Sequence, residues 1–127
     1  MIFGVGCDIA RISRFARWVE SADMLRRFFN EKEFFPHDGG TLGRRCEYYA
    51  ARFAAKEAFS KALGTGLQGF SLTDVYVQKD DAGKPSLCVS GRAADALRTM
   101  CGEGCSVHLS LSHEKEYAVA FVVIECR

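Results

Sequence analysis

Glu57 and Lys61 are the two residues whose types and spacing most directly suggest chemistry. They lie in the segment RFAAKEAFSKALGTG, residues 52–66, whose apolar pattern predicts a helix. Side chains four residues apart lie on one helix face, so the carboxylate and the ammonium are within reach of each other. Their neighbours on that face are small or apolar, which predicts partly desolvated charges of the kind found at functional sites. An ordinary solubilising ion pair, worth about 0.2–0.5 kcal/mol, is the alternative interpretation.

The sequence Gly64-Thr65-Gly66 follows this helix directly. Both glycines can adopt positive φ, and both allow a ligand to approach the backbone closely. Gly64 alone is explained as a helix C-cap. The second glycine adds a weak indication that a phosphate group binds here.

Asp8 lies near the end of the predicted first strand, between Cys7 and Ile9. A carboxylate in a central strand must be paired, capped or bound to a metal. An N-cap for a helix beginning near Arg11 is one interpretation. The other places Asp8 beside Glu57, because two neighbouring carboxylates repel each other and Mg²⁺ binds through one or two carboxylates together with substrate phosphates.

Basic residues fall into two groups along the chain. The first group lies on or near the helix that carries Glu57, and guanidinium groups suit phosphate well. Only Lys61 is strongly constrained by geometry in that group, and the others are equally explained as solvated charges. The first group consists of Arg44, Arg45, Arg52, Lys56 and Lys61.

The second group is Arg11, Arg14 and Arg17, spaced by three on a predicted first helix. This spacing predicts an arginine stripe that either is solvated or docks an acidic protein surface. The formal net charge of the chain is only +1 and no recognition motif accompanies the arginines, so we do not expect nucleic-acid binding.

The order of predicted elements indicates an antiparallel α+β fold in one domain, residues 1–127. We predict strands at 2–9, 107–112 and 117–125, a helical region at 12–29 with a restart near Ser21 and Asp23, a loop at 36–43, a long central helix at 44–63, a hairpin at 71–89 turning at 80–83, and a short helix at 91–100.

Residues 119–124 of the last strand are apolar at every position, which predicts that both faces of the strand are covered. Oligomerisation would cover the second face. A second layer folded from the same chain is the alternative.

The six cysteines include no CxxC pair, and only Cys101 and Cys105 are close in sequence, so we expect free thiols in a reducing cytoplasm. The amino-terminal apolar run is broken by Asp8, which argues against a secretory signal. No apolar run approaches the ~20 residues that a membrane span needs. We therefore expect a cytoplasmic protein without a membrane partner.

Four segments in this order together resemble the holo-acyl-carrier-protein synthase family, the short form of the 4′-phosphopantetheinyl transferase superfamily. They are GVGCDIARISR at 4–14, RFAAKEAFSKALGTG at 52–66, GKP at 83–85 and HLSLSHEKEYAVAFVV at 108–123. The resemblance implies transfer of the phosphopantetheine arm of coenzyme A to a serine of apo-acyl carrier protein. It also implies release of adenosine 3′,5′-bisphosphate, a role in fatty acid biosynthesis, and a homotrimer with active sites between subunits.

The resemblance also assigns roles to residues. It places Mg²⁺ on Asp8 and Glu57 and puts Lys61 close to the diphosphate, which makes these three the catalytic residues. Glu57 and a metal-bound water are equally plausible bases for the serine proton. Coenzyme A contacts are expected from Lys61, Gly64, Thr65, Gly66, Arg52, Arg45 and His113, the last from a neighbouring subunit. The carrier protein is expected to dock on Arg14, with Arg11 and Arg17 beside it.

Two other functions fit the residues without the resemblance. One is a non-catalytic oligomeric module that binds coenzyme A or another nucleotide. The other is an adaptor that uses only the arginine stripe to hold acidic proteins. The Glu57/Lys61 pair beside a glycine loop argues against the adaptor, and Asp8 argues against the inert module.

Overall fold

The computed structural model describes residues 1–35, 40–66 and 68–127. The part of the chain that the structure describes forms five strands and four helices in an α+β fold, as predicted. The strands are β1 (Ile2–Arg11), β2 (Val75–Lys79), β3 (Pro85–Val89), β4 (Ser106–His113) and β5 (Tyr117–Glu125), and the helices are α1 (Ala16–Val19), α2 (Ala22–Phe28), α3 (Leu42–Leu63) and α4 (Gly91–Cys101).

All strand pairs are antiparallel, but they form two sheets. β5 lies between β1 and β4 in a three-stranded sheet, whereas β2 and β3 form a separate hairpin. The hairpin predicted at 71–89 is confirmed, with its turn between β2 and β3. Its first strand begins later than predicted, because Leu72–Asp74 form a 3₁₀ turn that Ser71 caps.

Helix α3 packs against the three-stranded sheet through a surface of alanines. Ala50, Ala54, Ala55 and Ala58 are completely buried. Small side chains allow close approach of helix and sheet, and β1 meets them with glycine. A Cβ atom placed on Gly4 or Gly6 would lie only 1.9 Å from the carbonyl oxygen of Ala62 or Ala58, respectively. The two glycines thus fix the distance between β1 and the C-terminal half of α3.

A buried ion pair joins α3 to the hairpin. Lys56 Nζ lies 2.5 Å from Glu33 Oε1, and both side chains are completely buried. Lys56 also donates to the carbonyl oxygens of Leu72 and Val75, and Glu33 Oε2 accepts the N–H of Val77. A buried ion pair is tolerated when further hydrogen bonds satisfy both groups. The sequence-based prediction that Lys56 could face phosphate or solvent is therefore wrong.

The helical region predicted at 12–29, with a restart near Ser21 and Asp23, is divided into three pieces. A 3₁₀ turn spans Ile12–Phe15, α1 follows, and the helix restarts as α2. Ser21 caps α2 by accepting the N–H of Met24, as its sequence position predicted. The predicted loop at 36–43 is too long, because Thr41 caps α3 and the helix begins at Leu42; residues 36–39 of that loop lie outside the described residues.

The outer face of the three-stranded sheet is uncovered by any described part of the chain. Val5, Ile9 and Phe121 are each at least half exposed, at 59%, 61% and 50%. The inner face of β5 is completely buried against α3 through Ala118, Ala120, Val122 and Ile124. Within the described residues, a second layer from the same chain is thus excluded. No described helix combines the length and apolarity needed to cross a bilayer.

Candidate active site

Asp8 and Lys61 form an ion pair at the edge of the sheet. Gly4, Gly6 and Asp8 alternate along β1, so they point to one face of the strand, toward α3. Asp8 Oδ1 accepts a hydrogen bond of 2.9 Å from Lys61 Nζ, which also donates to the Cys7 carbonyl at 3.2 Å. Asp8 is therefore paired across the strand–helix contact, and it does not cap the helical turn after β1, whose N-cap is Arg11.

Lys61 makes its salt bridge to Asp8 rather than to Glu57 one turn away. The Asp8 side chain is 18% exposed, whereas that of Lys61 is 54% exposed. Partial desolvation was predicted for Glu57 and Lys61: it is confirmed for Glu57, which is half-buried, and it is wrong for Lys61, which is exposed. An exposed ammonium held by a carboxylate can exchange that partner for an anionic ligand.

Glu57 completes a cluster of charges around this pair. Burial raises the pKa of Glu57, and the charge of Asp8 raises that pKa further, while Lys61 and Arg14 oppose the shift. The hydrogen bond and the charge of Asp8 raise the pKa of Lys61. Two carboxylates that repel each other beside open solvent suit a hard divalent cation, which takes oxygen ligands. The donor set of Asp8 and Glu57 therefore fits Mg²⁺.

The loop after α3 leaves open space at its glycines. Gly64 ends the helix in the left-handed region with φ 88°, and its N–H donates to Ser60 at 3.0 Å, as expected of a C-cap. Gly66 also has positive φ, at 64°, and the Thr65 hydroxyl donates to its carbonyl. Among the described residues, apart from each glycine and its chain neighbours, no atom lies within 4 Å of a Cβ placed on Gly64 or Gly66, so the backbone there is accessible to a ligand.

A second polar region is a cavity of approximately 280 Å³ between the first half of α3, the β2–β3 turn and the end of β4. Four of its side chains are basic or can become so, and its lining also includes two aromatic rings, one carboxylate and two residues of the Gly-Lys-Pro turn. The residues that line it include Arg44, Tyr48, Arg52, Lys79, Gly83, Pro85 and His113.

Arg52 is a buried charged side chain that lines this cavity. It is buried, its guanidinium carbon lies 3.4 Å from the centre of the Tyr48 ring, and its Nε atom has no hydrogen-bond partner among the described residues. Burial lowers the pKa of Arg52. The Nε atom itself is shielded from solvent, so what Arg52 contributes to the cavity is the positive charge of its guanidinium, which suits an anion such as phosphate.

His113 lies at the end of β4, and its Nε2 atom is 3.3 Å from Glu47 Oε1. β4 and β1 are the opposite edges of the three-stranded sheet, so His113 and Asp8 lie at opposite edges within one chain. The structure therefore places the predicted site residues in two separate groups. Asp8, Glu57 and Lys61 form one, and Arg52 and His113 form the other.

Arg45 does not join either group. Its guanidinium donates to the carbonyl oxygen of Val19 at 2.7 Å, which ties α3 to the end of α1. The coenzyme A contact predicted for Arg45 is not supported by this geometry, and Arg44 lines the cavity instead. Lys79 and Tyr48 were not predicted, since neither lies in a motif that the sequence analysis identified.

The three predicted docking arginines do not form a stripe on one helix. Arg11 is the last residue of β1 and donates to the Tyr117 hydroxyl at 2.9 Å, and Arg17 lies on α1. Arg14 lies on the 3₁₀ turn between them, and its guanidinium carbon is within 5.6 Å of the ring centres of Trp18 and Phe53. Arg14 is thus an exposed cation packed against two aromatic rings, and its charge acts on Glu57.

Comparison with known proteins agrees with this fold. Residues 4–122 match the family model described as the 4′-phosphopantetheinyl transferase superfamily, and the chain belongs to that superfamily. The chain is 46% identical to a holo-[acyl-carrier-protein] synthase of Treponema denticola over 98% of this chain and 99% of that protein.

Two solved structures share the fold over nearly their whole length. A holo-(acyl-carrier-protein) synthase from Bacillus anthracis, determined in complex with CoA (3′,5′-ADP), has a TM-score of 0.80 and 40% identity, with 100% of this chain and 99% of that chain covered. The synthase from Neisseria meningitidis has a TM-score of 0.83 and 36% identity, with 98% of this chain and 99% of that chain covered.

Proposed function

We propose that this protein transfers the 4′-phosphopantetheine group of coenzyme A to a serine of apo-acyl carrier protein and releases adenosine 3′,5′-bisphosphate. The observation that carries the proposal is the cluster of Asp8, Glu57 and Lys61 around the β1–α3 contact, in which a salt bridge of 2.9 Å leaves the ammonium exposed. Similarity to synthases over nearly the full chain supports the same activity.

Asp8 and Glu57 would hold Mg²⁺, which when bound offsets the charge of the diphosphate and polarises the transferred phosphoryl group. Lys61 has the mobility and charge to bind a diphosphate oxygen and to stabilise the departing bisphosphate. Glu57, whose pKa is raised by burial and by Asp8, is suited to accept the proton of the carrier serine. Positioning and charge stabilisation account for most of the catalysis in phosphoryl transfer.

The nucleotide end of coenzyme A is proposed to occupy the cavity lined by Arg44, Arg52 and His113. Arg52 lines the cavity and supplies a guanidinium charge that suits a phosphate group, and the Tyr48 ring offers an apolar face. The open glycines 64 and 66 are proposed to lie along the diphosphate.

The two groups of site residues support a ring of subunits. Because β1 and β4 are opposite edges of the sheet, a head-to-tail contact would bring the His113 side of one chain to the Asp8 side of the next. The exposed apolar face around Val5, Ile9 and Phe121 supplies the surface such an assembly would bury. A homotrimer with shared active sites is the assembly that we propose.

The carrier protein is proposed to dock near Arg14. This exposed cation lies close enough to Glu57 to lower its pKa, so an acidic partner bound there would present its serine to the cluster. Arg17 is an exposed neighbour, and Arg11 is already engaged by Tyr117. A place in fatty acid biosynthesis, within the cytoplasm, follows from the proposed activity.

A non-catalytic module that binds coenzyme A is the competing proposal. The two are separated by measuring the release of adenosine 3′,5′-bisphosphate from coenzyme A by chromatography, with and without apo-acyl carrier protein. Transfer predicts release that requires both the carrier protein and Mg²⁺ and that disappears in Lys61→Ala. Binding of coenzyme A without release under any of these conditions would leave only the module.

A further inference from the structure

Three cysteines, two of them four residues apart and the third 21 residues further along the chain, converge at the end of the three-stranded sheet opposite Asp8 and His113. The Sγ atoms of Cys101, Cys105 and Cys126 all lie within 4.8 Å of one another, and the last two are 4.0 Å apart. Cys101 ends α4, Cys105 lies in the loop before β4, and Cys126 follows β5. All three are partly exposed free thiols, so an ion can reach them.

The spacing of the sulfur atoms suits a tetrahedral metal ion. A Zn–S distance of about 2.3 Å places the sulfurs of a tetrahedral site about 3.8 Å apart, so small side-chain rotations would close this cluster around an ion. A disulfide would instead need two sulfurs at about 2.05 Å and would leave the third thiol unused. Half-buried thiols at the ends of three elements are also poorly explained as core packing, since unreactive structural cysteines are usually fully buried.

We propose that Cys101, Cys105 and Cys126 form a binding site for a thiophilic divalent cation, with Zn²⁺ as the ion and water as its fourth ligand. Each thiol releases its proton to solvent as its sulfur binds, and no electron is transferred. Thiolates disfavour Mg²⁺, which prefers oxygen ligands, so the site is chemically distinct from that of Asp8 and Glu57.

The position of the cluster indicates what the ion would do. Ala93 is the only completely buried residue of α4, and Ala96, Leu97 and Cys101 pack against the core in part. The end of β5 is held in place, because the N–H of Cys126 donates to the Met1 carbonyl at 2.7 Å. A metal ion that joins Cys101 to Cys126 would attach the C-terminal end of α4 to the central sheet.

Metal titration tests the site directly. Reduced protein freed of metal is titrated with Co²⁺, whose thiolate complexes absorb by charge transfer, and the bound Co²⁺ is then displaced by Zn²⁺. We expect one ion per chain, displacement by Zn²⁺, and no displacement by excess Mg²⁺. Cys126→Ser should weaken binding by more than about 100-fold, since even residues that only support a ligand change affinity by 10–100-fold.

Cys88→Ser is the matched control, because Cys88 is also partly exposed but lies on β3, where its thiol contacts Gln78. It should bind Co²⁺ as the unchanged protein does. Hydrogen exchange of the α4 amides provides a second measurement, and Zn²⁺ should slow it in the control but not in Cys126→Ser. Absence of the charge-transfer band, or equal weakening in both variants, would overturn the proposal.

Discussion

The Cα of Gly6 lies directly against the carbonyl group of Ala58, so closely that a Cβ on Gly6 would come within 1.9 Å of that oxygen. This contact sets the separation between β1 and α3. Because Asp8 follows Gly6 on the same face of the strand, the contact also sets the distance from Asp8 to Lys61. The packing of a glycine thus determines the geometry of the charged cluster.

We expect Gly6→Ala to lower the free energy of unfolding by about 1–3 kcal/mol, because the backbone of β1 must move away from α3. Activity should fall as well, since Asp8 moves with the strand. Gly43→Ala is the control: its site on α3 has space for a Cβ, with the nearest atom 3.9 Å away, and the change should be neutral or slightly stabilising. Urea unfolding of both variants measures this, and equal stability of the two would contradict the packing argument.

The ionised Glu57 side chain should lower the free energy of unfolding at neutral pH. Its pKa in the folded chain is raised by burial and by Asp8, so the folded state binds more protons than the unfolded state just above the ordinary pKa of glutamate. Stability therefore falls as pH rises through that window, and the cost is absent below it. Glu57→Gln should raise the midpoint of thermal unfolding at pH 7, and this gain should vanish near pH 4.

The control for this measurement is Glu116→Gln, at an exposed position in the turn before β5. It should leave the midpoint unchanged at both pH values. Mg²⁺ should stabilise the unchanged protein more than Glu57→Gln, because the cation relieves the same repulsion. A Glu57→Gln variant that is less stable at pH 7 would contradict the electrostatic account.

Subunit mixing tests whether active sites are shared between chains. Lys61→Ala and His113→Ala each remove one of the two groups of site residues, and each should be nearly inactive alone. If neighbouring chains in a ring supply the two groups, a refolded equal mixture contains unmodified sites at up to about one quarter of its interfaces. Activity should reappear in proportion to the fraction of unmodified sites. No recovery, in a mixture shown to exchange subunits, would place each complete site within one chain.

Reversal of Arg14 should affect the carrier protein more than coenzyme A. Arg14→Glu should raise KM for apo-acyl carrier protein about tenfold or more, since a close charge pair across an interface contributes more than about 1.5 kcal/mol. Steady-state kinetics with each substrate varied in turn measures the effect. Arg17→Glu, on the exposed side of α1, should have a smaller effect. Equal changes in KM for both substrates would argue against docking at Arg14.

Sequence patterns predicted the parts of the site that depend on local structure. Glu57 and Lys61 were recognised because helical spacing alone puts them one turn apart, and Gly64 because a C-cap follows from its place after the helix. Asp8 was recognised because a carboxylate in an apolar strand requires a partner. That partner proved to be Lys61, which comes from 53 residues away and has no local signal.

Contacts between distant elements were not predictable in this way. Lys56 and Lys61 are both lysines of α3, but they are five residues apart and so lie on different sides of the helix. Lys56 is buried against Glu33 because the 3₁₀ turn at Glu31–Glu33 packs on its side of α3. Arg45 likewise looks equivalent to Arg44 in sequence, and only the place of Val19 shows that Arg45 has a structural role. Tertiary packing, not residue type, separates the members of each pair.

Intact-mass spectrometry of an apo-acyl carrier protein incubated with coenzyme A, Mg²⁺ and this protein tests the proposed activity most directly. We predict a gain equal to one phosphopantetheine group on the carrier protein, lost with EDTA and in the Asp8→Ala and Glu57→Ala variants. An unchanged carrier mass with several carrier proteins, from folded protein that still binds coenzyme A, would contradict the proposed transfer.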